Sequence, residues 1–216
     1  GCKLAEMATI DKLKEQKEKH PDAAVVSYVN SSAMIKAFSD VCCTSSNALK
    51  IVNAMPQDTI LFLPDKNLGS YVAEKSDKKI ILWDGYCYVH ENIKSDTINK
   101  LQKQHPSAEI IVHPECPKEV RDLADFIGGT GHMSKYVKDS KTDEFIVGTE
   151  VNFSYRLKKD NPTKNFYSVN TECVGMRKNS LSDVKKALEK NQHEITIEKS
   201  VREKAYKALD TMMKLS

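Results

Sequence analysis

Short apolar, β-branched runs alternate along this chain with longer stretches whose apolar residues recur at helical spacing. AVVSYV, SDVCCT, TILFLP and KKIILW come first, and EIIVH, ADFIGG, FIVGT and KNFYSV follow, most of them bounded by Pro, Asn or Gly. Each run is expected to be a strand. AMIKAF, SDTINKLQKQ and SLSDVKKALEK are expected to be helices, with Ser95 and Ser180 as N-caps. Strand, helix, strand in that order is the rhythm of a parallel sheet covered by helices, so the fold class is α/β.

The pattern repeats. His20-Pro21-Asp22-Ala23 precedes one strand and His105-Pro106-Ser107-Ala108 precedes another, 85 residues later. The same shift carries Asn30 onto Glu115, Ser45 onto Thr130 and Asp65 onto Glu150, so polar residues at strand ends meet polar residues at strand ends. Two similar three-layer α/β/α domains with parallel sheets follow, at residues 21–104 and 105–190.

Cys2, Cys87 and Cys173 keep nearly that spacing, and each precedes a Lys-rich helical stretch: KLKEQKEKHP, INKLQKQHP and VKKALEKNQH. Three cysteine-then-helix junctions stand against two complete strand blocks. Residues 1–20 are therefore assigned as the loop and helix of a preceding repeat missing here, and the apolar spacing of 191–216 as a C-terminal segment and helix packing toward that repeat. Three equivalent loops converging on a pseudo-threefold axis would bring three thiolates together, and thiolates bind soft metals. A cube of iron and sulfide held by three cysteines leaves one iron open to substrate; zinc with three thiolates and a water is the other chemistry the spacing allows. Cys42 and Cys43 fall outside the pattern and read as packing residues, as does Cys116 in HPEC. His90, three residues after Cys87, reads as structural because the other repeats have Ala5 and Met176 there.

Composition narrows the classes. With 33 basic and 30 acidic residues and a net charge of +3, there is no basic stripe for nucleic acid. No apolar run reaches the roughly 20 residues that span a bilayer. The charged first twenty residues lack the apolar core of a secretory signal, so a cytoplasmic home, with the cysteines as thiols or metal ligands, is expected.

The blocks YVNSSA, TSSNA, FLPDKNLGSYVA, GYCYVH, HPEC, GGTGHM, GTE and ECVGM, in this order and spacing, resemble the quinolinate synthase family along essentially the whole chain. The resemblance implies three α/β domains around a 4Fe-4S cluster held by the positions of Cys2, Cys87 and Cys173. It implies a condensation of iminosuccinate with dihydroxyacetone phosphate that closes the pyridine ring of quinolinate in NAD biosynthesis. As partners it implies a separately supplied N-terminal domain, or an L-aspartate oxidase or dehydrogenase that provides iminosuccinate. Tyr28 and Asn30 match positions that contact substrate, Ser45 and Thr130 match hydroxyls for carboxylate or phosphate oxygens, and Glu150 matches a site-facing position. His113 and Glu115 match the polar pair of the site, with Glu115 expected to move a proton, His113 to orient substrate and Tyr28 to share in catalysis.

Two departures accompany the resemblance. Gly129 stands where the family often has serine, which implies one hydroxyl fewer toward an anionic substrate. The family's first domain carries a further His and Tyr used in catalysis, so a second expectation is a cluster- or anion-binding module that does not turn over. A third is a zinc-thiolate protein.

Overall fold

Burial on both faces is what the strands demand, and the computed structural model, covering residues 1–216, supplies it with two parallel sheets clothed in helices. The chain begins with α1 (Lys3–Glu6) and α2 (Ile10–Lys19), then runs β1 (Ala24–Tyr28), α3 (Ala33–Ala37), β2 (Val41–Cys43), α4 (Ala48–Ala54), β3 (Thr59–Leu63), α5 (Lys66–Ala73) and β4 (Lys79–Leu82). It continues with α6 (Tyr88–Glu91), α7 (Ser95–Gln104), β5 (Glu109–Val112), α8 (Lys118–Arg121), β6 (Phe126–Ile127), α9 (Thr130–Asp139), β7 (Glu144–Gly148), α10 (Val151–Asp160) and β8 (Asn165–Ser168). A 3-10 turn at Met176–Lys178, α11 (Leu181–Lys190) and α12 (Lys199–Leu215) complete it.

The sheets have orders β2-β1-β3-β4 and β6-β5-β7-β8, the same topology twice. Their registers also superpose: Val26 pairs with Val41 and Phe62 in the first sheet, and Ile111, 85 residues on, pairs with Phe126 and Val147 in the second. The one extra residue falls between β7 and β8, because Thr59 and Glu144 keep the shift of 85 while their partners Lys79 and Asn165 stand 86 apart. It accounts for the spacing of Cys173 from Cys87.

Alternate residues of each strand feed opposite faces. On the first sheet Val25, Leu61 and Leu63 meet Leu13 of α2, Ile35 of α3 and Trp83, while Val26, Ile60 and Phe62 meet Ile51 of α4, Leu68 and Val72 of α5 and Met212 of α12. On the second, Ile110 and Ile146 meet Ile98 of α7 and Val120 of α8, while Ile111, Phe145 and Val147 meet Met133 and Val137 of α9 and Leu157 of α10. A fully buried Leu or Ile of this kind contributes about 1.5–3 kcal/mol relative to exposure.

Two segments outside the repeats pack on the first unit. α2, assigned above to a preceding repeat, lies on the first sheet, where Leu13 is fully buried and the Trp83 indole N–H donates to the Met7 carbonyl at 3.0 Å. The equivalent α7 lies on the second sheet, so the helices after Cys2 and Cys87 each cover the sheet that follows them. α12 lies against α3 and β2 of the first unit, burying Ala205, Ala208 and Met212. The caps differ as well: Ser180 caps α11 through a capping box with Asp183, but Lys94 occupies the cap of α7 and Ser95 enters its first turn. Lys94 already holds the extended backbone that a cap needs.

Candidate functional site

In a parallel α/β sheet the strands end on one edge, and loops beyond that edge gather ligand-facing residues. Here Tyr28 closes β1, Ser45 follows β2, Asp65 follows β3, His113 and Glu115 follow β5, Thr130 follows β6, and Thr149 and Glu150 follow β7. The two units turn these edges toward each other. His113 Nε2 lies 3.2 Å from Ser45 Oγ, and the Tyr28 phenol faces Glu115 and Ser45. Ser45 also meets the β6 end, since a Cβ at Gly129 would lie 2.7 Å from its Oγ and 2.6 Å from Ser46 Oγ. The hydroxyls of Ser45 and Ser46 thus occupy the space a side chain at 129 would take. Thr130 sits exposed at the first position of α9, and Asn30 is exposed beyond β1.

At the centre is Glu115, only 2% exposed. Its Oε2 is 3.0 Å from His90 Nδ1, and His90 Nε2 is 2.9 Å from Thr149 Oγ1. The His90 and His113 rings stack with centroids 4.5 Å apart. Burial alone would pull His90 down, but the Glu115 carboxylate and bonds to Glu115 and Cys87 outweigh it and raise His90 above its ordinary value, which makes it a cation. Burial likewise pushes Glu115 up, yet His113, His90 and the Tyr28 phenol hold it below the usual range, so it is a carboxylate.

His113 goes the other way, lowered to about 4 by burial against the attraction of Glu115, with the His90 charge adding to the decrease. Its Nδ1 accepts the Glu115 amide N–H at 3.3 Å, so its single proton sits on Nε2 and points at Ser45. Burial first, and then Glu115, raise the Tyr28 phenol far above its ordinary value, leaving it a neutral donor.

The three repeat-spaced cysteines border this network. Cys2 and Cys87 stand at the N-caps of α1 and α6 without using their thiols as caps. Tyr88, next to Cys87, places its hydroxyl 3.6 Å from Cys173 Sγ and accepts the Val174 N–H at 2.9 Å, while Lys3, next to Cys2, sits 5.4 Å over the Tyr88 ring. A Cβ at Gly175 would meet the Gly1 carbonyl at 3.6 Å and Cys173 Sγ at 3.9 Å. Three segments distant in sequence therefore meet at one junction. Cys2 is exposed and Cys87 and Cys173 half-buried, whereas Cys42, Cys43 and Cys116 are buried and burial raises each of their thiols above the ordinary value. Cys116 donates to the Gly148 carbonyl at 3.4 Å, as packing thiols do.

Comparison with known proteins now decides the family. The family model described as Quinolinate synthetase A protein matches residues 1–214. This chain belongs to the quinolinate synthase family. It is 46% identical to the quinolinate synthase of Alkaliphilus metalliredigens, over 100% of this chain and 72% of that protein. It is 49% identical to the quinolinate synthase of Caldicellulosiruptor saccharolyticus at the same coverage, and 47% identical to quinolinate synthase 2 of Methanosarcina acetivorans, of which it covers 70%. Membership places the chain among enzymes of NAD biosynthesis acting on small molecules. No helix is long and apolar enough to cross a membrane.

For this quinolinate synthase family member, sequence reasoning missed the contacts His90 makes at the site. The Cys-x-x-His spacing was the available signal, since three residues carry His90 round the first turn of α6 beneath Cys87. A Cys87 sulfur, a His90 nitrogen and a Glu115 oxygen all lie within 4.8 Å of one another, a set that can also hold a metal ion. Both His90 nitrogens are already engaged by Glu115 and Thr149. Lys66, at the start of α5, pairs with Glu91 at 3.0 Å.

Proposed function

We propose that this chain is a quinolinate synthase that condenses iminosuccinate with dihydroxyacetone phosphate, giving quinolinate, phosphate and two waters, in a reducing cytoplasmic compartment. Cys2, Cys87 and Cys173 hold the 4Fe-4S cluster in this reading. The donor set fits: the loops that carry the three cysteines meet beside the polar network, with Tyr88, next to Cys87, reaching Cys173 and Lys3, next to Cys2, lying over the Tyr88 ring, and these are the less buried thiols of the six. When bound, the cluster supplies an open iron that acts as a Lewis acid toward an oxygen of the reacting molecule.

The chain's own residues divide the remaining work. Glu115, kept ionised next to His90, is the proton acceptor, and the neutral Tyr28 phenol is a donor within its reach. His113, neutral with its proton on Nε2, orients the Ser45 hydroxyl and presents a donor that carries no net charge. Asn30, Ser45 and Thr130 offer an amide and two hydroxyls to carboxylate or phosphate oxygens, with Thr130 at the partially positive start of the ten-residue α9. Glu150, beyond the end of β7, stands beside this set with both oxygens bonded within the protein.

The observation that carries this reading is the junction of Tyr28, Ser45, His113 and Glu115 across two units, beside the meeting loops of Cys2, Cys87 and Cys173, in a chain of this family. The test is anaerobic reconstitution with iron and sulfide, followed by assay with both substrates. A brown protein that forms quinolinate is expected. Cluster without product would instead support a binding module, and colourless protein containing zinc would support the thiolate-zinc alternative.

A further inference from the structure

The repeat has a second pair of equivalent residues whose side chains do the same unusual thing. Asp65 follows β3, fully buried, and its Oδ1 caps α5 by accepting the Leu68 N–H at 2.8 Å. Its Oδ2 accepts the Cys87 amide N–H at 2.9 Å, 22 residues away. Glu150 follows β7 at the matching position. Its Oε2 caps α10 by accepting the Asn152 N–H at 2.8 Å, and its Oε1 accepts the Cys173 amide N–H at 3.4 Å, 23 residues away, together with the Asn152 side-chain amide at 3.0 Å. Each carboxylate thus divides its oxygens between the start of its own helix and the backbone of a repeat-spaced cysteine.

We propose that Asp65 and Glu150 are positioning residues for Cys87 and Cys173, each fixing the backbone of a cluster ligand to the rigid end of a neighbouring strand. A cysteine's Cα–Cβ direction follows from its backbone, so an anchored amide N–H sets where the thiol points before any metal arrives. The first unit shows how closely the two loops are fitted. The Lys66 N–H donates to the Gly85 carbonyl at 2.7 Å, and a Cβ at Gly85 would lie 2.4 Å from the Pro64 carbonyl oxygen. Only glycine there lets the Gly85–Cys87 segment reach Asp65. Glu150 becomes a support for a ligand rather than a substrate contact, since both of its oxygens are already in use. The inference rests on the cysteine-held cluster proposed above.

The experiment uses the full-length holoprotein carrying Asp65→Asn or Glu150→Gln. An amide has one acceptor oxygen in place of two, so it keeps the helix cap or the cysteine anchor but never both. Ser32→Ala is the control: it removes the side chain that caps α3 by accepting the Ile35 N–H, and it touches no cysteine. The readouts are the rate at which a chelator strips iron and the electron paramagnetic resonance spectrum of the reduced cluster. Loss of one of these bonds should speed iron release about tenfold in both acid variants and alter the spectrum, while Ser32→Ala matches wild type in both. Wild-type release and spectrum in the acid variants, or equal acceleration by Ser32→Ala, would overturn the proposal. Should Asp65→Asn fail to fold, the half-buried Glu150→Gln decides alone. A wild-type protein that takes up no iron and sulfide fails the functional reading itself, a result distinct from a loaded cluster indifferent to these carboxylates.

Discussion

Arg121 offers a quantitative test of how the two units are joined. It is 2% exposed at the end of α8 in the second unit, and its guanidinium reaches the first. Nη1 donates to the Asn67 carbonyl at 3.1 Å and the Cys116 carbonyl at 2.8 Å; Nη2 donates to Ser70 Oγ at 3.3 Å and Glu74 Oε1 at 2.6 Å. Arg121→Met keeps most of the aliphatic stem and removes every donor. The Glu74 side chain is 35% exposed, so water replaces much of that ion pair, which is discounted to under about 1 kcal/mol. The Asn67 and Cys116 carbonyls lose a charged partner in a buried place, at about 1–3 kcal/mol each. The net loss is about 4 kcal/mol, or a drop of about 10 °C in Tm for a chain of this size. Calorimetry of Arg121→Met and Glu74→Gln checks this, the second variant being expected to shift Tm by less than about 3 °C. A melting point for Arg121→Met within about 2 °C of wild type would show that the guanidinium does not tie the units together.

Further outcomes follow from the site. His113 is lowered to about 4 from 6.5, so the unfolded chain binds its proton first; its contribution is present above pH 6.5 and disappears as pH falls toward 4. That loss amounts to about 3 kcal/mol, and urea midpoints measured across the window should flatten in His113→Gln; an unchanged slope would refute the neutral assignment. His90 has the opposite sign, raised by Glu115, so its share is complete below its ordinary value and lost only at alkaline pH. Cys87→Ser and Cys173→Ser should abolish cluster retention while Cys42→Ser, buried beside Ser27, retains it, as iron analysis will show; full iron in Cys87→Ser rejects the ligand assignment. Glu115→Gln should lower kcat by about 10²–10⁴-fold with the fold intact by circular dichroism, and near-normal turnover would remove Glu115 from proton transfer.

Much of this architecture is written locally, where spacing suffices to read it. The 85-residue shift between strands survives as a shift in sheet register, because β-strand pairing in two copies of one topology answers to the same alternation of apolar residues. The cysteine triplet and the family blocks are likewise patterns along one dimension. Chain-local spacing could not say that α2 and α12 lie on the first unit, because an amphipathic stripe states that a helix must be covered but not by which sheet. His90 read as structural for a related reason: nothing in its neighbourhood along the chain reveals Glu115, 25 residues on, or Thr149, 59 residues on.

By itself, then, the sequence determined two α/β repeats, the strand-end positions of Tyr28, Ser45, His113, Glu115, Thr130 and Glu150, and which cysteines share the repeat spacing. Tertiary structure alone decided that Tyr28 and Ser45 of one unit meet Glu115 and His113 of the other, and that His90 is charged while His113 is not. It also decided that Asp65 and Glu150 anchor Cys87 and Cys173. The physical reason is range: periodicity records what each residue needs from its neighbours along the chain, whereas charge state and hydrogen-bond partnership depend on groups brought close only when the two sheets are turned edge to edge.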